Sequence, residues 1–126
     1  MSTPSSPRRF EDLFAWQKAR ELQVALFPIA KLCQTTDPPL ADQLRRAARS
    51  VTANIAEGFE RNTRGDFARF LAIAKGSAGE IRCHLYECRD AGFIDLQTFD
   101  SLKALAEMVS GMIAKLRGAI QSQRRT

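Results

Sequence analysis

Two amphipathic runs joined by a four-residue turn constrain this chain more than any other feature of its sequence. The first run ends in Asn54-Ile55-Ala56-Glu57-Gly58-Phe59-Glu60-Arg61 and the second opens with Asp66-Phe67-Ala68-Arg69-Phe70-Leu71. Asn62-Thr63-Arg64-Gly65 lies between them. Upstream, Leu40, Leu44, Ala47/Ala48, Val51, Ile55 and Phe59 recur in steps of three and four, the spacing of one helix face turned toward a core. Downstream, Phe67, Phe70/Leu71, Ala74, Ser77/Ala78, Ile81, Leu85 and Cys88 repeat the pattern. So short a connection makes the two helices antiparallel neighbours. Thr63 with Asp66 three residues on approximates a capping box, and Gly58 reads as a left-handed terminator of the first run.

Two further helices flank this hairpin. One runs from about Glu11 to Cys33, with Phe14, Leu22, Ala25, Leu26, Ile29 and Cys33 at helical spacing. Pro28 predicts a kink in it, since proline removes one backbone hydrogen bond and crowds the preceding turn. Asp37 then offers an N-cap and Pro38 a first helical position, where a missing N–H costs nothing. After Gly92, suited to a C′ position, Asp95 caps a last helix carrying Phe99, Leu102, Leu105/Ala106, Val109, Met112/Ile113, Leu116 and Ile120. The expected fold is all-α, an antiparallel up-down-up-down four-helix bundle with long helices over residues 10–121. Residues 1–9, rich in Ser and Pro, read as a disordered lead-in, and 122–126 as a basic tail.

Composition bounds the rest. With 126 residues, 44% hydrophobic, the chain can build one core and not two. No run approaches the roughly 18–20 apolar residues of a membrane span, and the N-terminus lacks the apolar stretch of a secretory signal. Three cysteines, Cys33, Cys83 and Cys88, have no framework spacing and fit reduced thiols in a cytoplasmic protein. A net charge of +5 makes an anionic partner plausible, RNA or DNA above all.

The residue types argue against catalysis. A di-iron bundle needs paired Glu-x-x-His motifs, and the chain has one histidine, His84. Cys83 and Cys88 point about 140° apart on a straight helix, so one metal ion cannot take both with His84. No P-loop or dinucleotide fingerprint occurs. The expectation is a protein without cofactor, metal or enzymatic activity. Asn54 and Glu57 read as a polar cluster holding the corner between the second and third helices, with Arg61 or Arg69 as partner of the carboxylate.

Basic residues are the better functional candidates. Arg45, Arg46 and Arg49 cluster on the second helix, and Arg61 and Arg64 follow at the turn. Arginine presents a planar donor fork suited to phosphate. Phe59, Phe67 and Phe70 fall on apolar stripes rather than between the arginines, so binding would be directed at the nucleic-acid backbone and salt-sensitive. Opposite the core stripe of that helix lie Arg45, Arg49, Thr52 and Ala56, with Ala53 at the edge. Thr52, Ala53 and Ala56 make its second half small and uncharged, as a contact with another subunit would want. Gly76 and Gly79 weaken the third helix by roughly 1 kcal/mol each relative to alanine, which points to close approach of another backbone.

Five segments together carry a family resemblance: Asp12-Leu13-Phe14-Ala15-Trp16-Gln17-Lys18-Ala19, Gln43-Leu44-Arg45-Arg46-Ala47-Ala48, Asn54-Ile55-Ala56-Glu57-Gly58, Asp66-Phe67-Ala68-Arg69-Phe70-Leu71 and Ala74-Lys75-Gly76-Ser77-Ala78-Gly79-Glu80. From about Phe10 to Ile120 the chain resembles the bacterial four-helix-bundle family named after 23S rRNA intervening sequences. It is also similar to the accessory variability protein of diversity-generating retroelements, a pentameric barrel that binds nucleic acid and a reverse transcriptase. The resemblance implies a homopentamer and a nucleic-acid or protein partner; it implies no ribosomal role. Arg82-Cys83-His84 replaces acidic and polar residues common in relatives, and Thr52 stands where proline is frequent.

Overall fold

A computed structural model describes residues 6–124 of the chain. A single 3-10 turn, Phe10–Asp12, precedes four helices: α1 (Phe14–Cys33), α2 (Pro38–Glu60), α3 (Arg64–Asp90) and α4 (Leu96–Arg124). Among the described residues there is no strand, and no helix is long and apolar enough to cross a membrane. The helices form an antiparallel four-helix bundle. α2 packs against α1 and α3, and α4 against α3 and more sparsely α1, which leaves α1 and α3 diagonal to each other.

The boundaries follow from local chemistry. The Asp37 carboxylate accepts from the Leu40 N–H at 3.2 Å while Pro38 opens α2. Thr63 Oγ1 accepts from the Asp66 N–H at 3.1 Å to start α3. Gly92, at φ +82°, ends α3 in the left-handed conformation that glycine adopts without strain. Asp95 Oδ1 accepts from the Thr98 N–H at 2.8 Å, and these hydrogen bonds hold its carboxyl below the usual carboxylate range. α1 continues unbroken through Pro28.

Three expectations are corrected. Gly58 is not a left-handed terminator: it lies inside α2 with no positive φ, and the helix ends instead where Arg61 turns extended, at φ -74° and ψ 153°. A Cβ on Gly58 would stand 2.8 Å from Phe70 Cβ and 3.0 Å from Phe67 Cδ1, so this glycine is demanded by the crossing of α2 and α3. The first helix starts at Phe14 rather than Glu11, because the 3-10 turn absorbs Phe10–Asp12. At the other end α4 runs to Arg124, so most of the expected tail is helical; Arg125 and Thr126 lie outside the described residues, as do residues 1–5 of the expected lead-in. Within that lead-in, the backbone N–H groups of Arg8 and Arg9 donate to Asp12 Oδ2.

One continuous core joins all four helices, with Leu22, Leu44, Ile55, Leu71, Leu85 and Ile113 fully buried. Where the diagonal helices meet, Cys33 Sγ and Cys88 Sγ lie 3.9 Å apart in a closed environment. Burial raises both thiols, Cys88 to about 12, which keeps them in the protonated form that reacts poorly. Cys83 is exposed. A thiol reagent should therefore label Cys83 first, and Cys33 and Cys88 only as the chain unfolds. Mass mapping of the labelled peptides checks the order; early labelling of Cys88 would contradict the packing.

Candidate nucleic-acid interface

The five arginines singled out in the sequence form two groups rather than one. Arg45, Arg46 and Arg49 lie in the first half of α2, where with Pro39, Asp42 and Gln43 they line an open concavity of about 620 Å³. Arg61 and Arg64 sit beyond the other end of that helix, about 18 Å further along for twelve residues of helical rise.

Within the first group the guanidinium groups are unequally held. Arg45 Nη2 donates to Gln34 Oε1 at 2.6 Å, and Arg45 Nη1 is 3.9 Å from Asp42 Oδ1. Arg46 Nη2 donates to Gln43 Oε1 at 3.3 Å. The Arg49 side chain has no hydrogen-bond or ion-pair partner among the described residues. Arg46 and Arg49 are exposed, while Arg45 is half-buried against the end of α1. Arg46 and Arg49 thus keep unbonded N–H donors at the surface, on a stretch of helix whose only nearby acid is Asp42.

The second group is more occupied. Arg61 Nε is 3.3 Å from Glu57 Oε2, one of the two pairings expected for that carboxylate, and its guanidinium lies 4.9 Å from the centre of the Phe70 ring. Arg69 stacks on the same ring at 4.6 Å and pairs with Asp66 at 3.7 Å. Arg64 Nη1 donates to the Gln123 carbonyl at 3.3 Å, tying the corner to α4. Arg117 Nε donates to the Ala68 carbonyl at 3.1 Å, adding a cation to this end that sequence reasoning missed. Nothing in the periodicity of α4 distinguishes it from other polar-face residues.

The expected small-residue interface is placed differently from the wheel. Thr52 is half-buried in the groove between α2 and α1, where its Oγ1 donates to Gln23 Oε1 at 3.0 Å. Ala56 is half-buried too, and only Ala53 of the three is exposed. The outward row of α2 is Asp42, Arg46, Arg49, Ala53, Glu57 and Glu60. Asn54 faces the other groove: its Nδ2 donates to the Ser50 carbonyl at 2.7 Å, and Ser50 Oγ bonds Ser77 Oγ at 2.7 Å. Among the described residues Asn54 therefore bonds only Ser50 of its own helix, which in turn reaches α3 at Ser77, while Glu57 points elsewhere, to Arg61.

His84 is bracketed on its own helix by two carboxylates, Glu87 Oε1 at 2.7 Å from Nδ1 and Glu80 Oε2 at 3.2 Å from Nε2. Both ring nitrogens are engaged. Among the described residues no group of three or more His, Cys, Asp or Glu side chains is gathered to hold a metal ion.

Fold and surface together define a single-domain, all-α bundle with three arginines clustered in the first half of α2. The chain belongs to the 23S rRNA-intervening sequence protein family, whose profile matches residues 11–115. A search of curated protein sequences finds no match. Among solved structures, a protein of unknown function from the S23 ribosomal protein family of Bacteroides thetaiotaomicron has the same fold. It aligns with a TM-score of 0.76 at 21% identity, over 82% of this chain and 97% of that one.

Proposed function

We propose that this chain is a non-enzymatic, self-associating cytoplasmic bundle that binds structured RNA or DNA through phosphate contacts made by α2. What carries the reading is the row Arg45, Arg46 and Arg49 beside an open concavity, with the Arg49 guanidinium unpartnered. An exposed guanidinium that keeps its donors free beside so open a concavity suits backbone phosphates better than a small buried ligand. Arg61 and Arg64 contribute less, being already bonded within the chain. The family resemblance sets the expected assembly at five copies, which would repeat the basic row around a ring.

The test is direct binding of nuclease-treated protein to labelled structured RNA and duplex DNA at low salt. Arg45→Glu/Arg46→Glu/Arg49→Glu is expected to weaken binding by roughly 100-fold or more, because three attractive contacts become repulsive. Arg61→Glu/Arg64→Glu should lose less. If the unaltered protein binds neither nucleic acid at low salt, the reading fails. A protein–protein scaffold, favoured by the exposed Val24, Phe27 and Leu32 of α1, then becomes the better account.

A further inference from the structure

We propose that Cys33 and Cys88 are a latent disulfide, closed by a peroxide and locking the end of α1 to α3. The device is independent of any nucleic-acid contact.

A single buried cysteine is an ordinary small apolar residue. Here two of them point at each other from helices that otherwise hardly meet. α1 and α3 are diagonal in the bundle. Their only side-chain hydrogen bond among the described residues joins Cys33 Sγ to Cys88 Sγ at 3.9 Å. Both side chains are fully buried. A disulfide needs the sulfurs about 2 Å apart, so the pair must close by about as much again. Cys33 is the last residue of α1, and Cys88 stands in the last turn of α3. The movement therefore falls on helix ends, which open more readily than the middle of a packed helix. The bond joins positions 55 apart in the chain. A cross-link over so long a loop restricts the unfolded chain and stabilises the fold. By linkage the fold favours the bond by the same factor.

The two sulfurs are not equivalent. Burial raises both thiols, while the hydrogen bond between them lowers Cys33 and raises Cys88. Cys33 is therefore the nucleophile and Cys88 the resolving thiol. Hydrogen peroxide, hardly larger than water, reaches Cys33 through openings of the last turn too small for a larger thiol reagent. Cys33 gives up its proton and its sulfur attacks one peroxide oxygen. The O–O bond breaks, and the departing hydroxide takes a proton to become water. The Cys88 sulfur then attacks the sulfenic sulfur of Cys33. The S–O bond breaks, the S–S bond forms, and the hydroxyl leaves with the Cys88 proton as a second water. The sulfurs together lose two electrons, and the peroxide gains two. Burial then shelters the bond from reductants, so the lock both forms and releases slowly. Cys83, exposed and about 140° round the helix from Cys88, takes no part.

Cys83→Ser removes the exposed thiol and leaves the buried pair in the full chain. Treated with hydrogen peroxide while folded, this variant should lose both thiols together and become lighter by two hydrogens. A digest without reductant should give the Cys33 and Cys88 peptides joined. The oxidised chain should melt roughly 10 °C higher, and dithiothreitol should reverse the shift faster in urea than in buffer. Adding Cys88→Ala should stop the reaction at a Cys33 sulfenic acid, trapped by dimedone on unfolding. Two free thiols after prolonged peroxide overturn the proposal, as does further oxidation of Cys33 without a bond. A joined form that melts lower than the reduced one overturns it too.

Discussion

Gly58→Ala is expected to destabilise the bundle by about 1–3 kcal/mol, although alanine is the better helix former. The added methyl would stand 2.8 Å from Phe70 Cβ and 3.0 Å from Phe67 Cδ1. Phe70 Cβ is fixed to the α3 backbone, so no rotamer change moves it away; the helices themselves must separate. Phe59 and Phe67, stacked edge to face at 5.9 Å across the same corner, would separate with them. Gly111 supplies the control: it lies inside α4, and nothing comes within 4 Å of its added Cβ. Gly111→Ala should therefore stabilise, by up to about 1 kcal/mol. Urea unfolding of both variants decides it. Equal stabilisation by both would mean the α2–α3 crossing is looser than described.

Leu85→Ala should cost more, about 2–5 kcal/mol. Leu85 is fully buried on α3, one turn before Cys88, where the diagonal helices meet. Truncation removes apolar burial and leaves a cavity that four helices, each fixed by its own turns, close only in part. Against a typical total of about 5–15 kcal/mol, that is a large share of the stability of the fold. Leu85→Met, close in volume, should cost less than about 1.5 kcal/mol. A chemical-denaturation midpoint that barely moves for Leu85→Ala would contradict the packing at this level.

Much of the fold is legible because its signals are local. Asp37-Pro38 and Thr63 with Asp66 mark helix starts through chemistry contained within four residues, and Gly92 ends α3 by its own conformation. Gly58 was misread for the opposite reason. Its position near a helix end suggested a terminator, whereas its cause is Phe70 on the facing helix, which no local pattern reveals. The start of α1 was lost because a 3-10 turn shares the apolar spacing of a helix at Phe10.

The candidate site divides in the same way. Arg45, Arg46 and Arg49 were legible as a group since one turn of helix brings them together. Arg61 and Arg64 were grouped with them by residue type, and helical rise alone separates them. Thr52 and Ala56 are placed outward by the sequence reading, but at 100° per residue they fall on the flank of the core stripe rather than opposite it, and Thr52 lies in the groove against Gln23. The outer apolar residues of α1, Val24, Phe27 and Leu32, are not singled out by the helical pattern, because a sequence does not say which apolar residues the bundle leaves uncovered.

The measurement that tests the central claim most directly is the salt dependence of nucleic-acid affinity. Phosphate contacts release counterions, so log K should fall linearly with log salt, at a slope of about −0.9 per phosphate neutralised on duplex DNA. The account predicts a steep slope for the parent protein and a slope shallower by about 2–3 for Arg45→Glu/Arg46→Glu/Arg49→Glu, from the loss of three phosphate partners. Affinity independent of salt, or a slope the triple variant leaves unchanged, would contradict it.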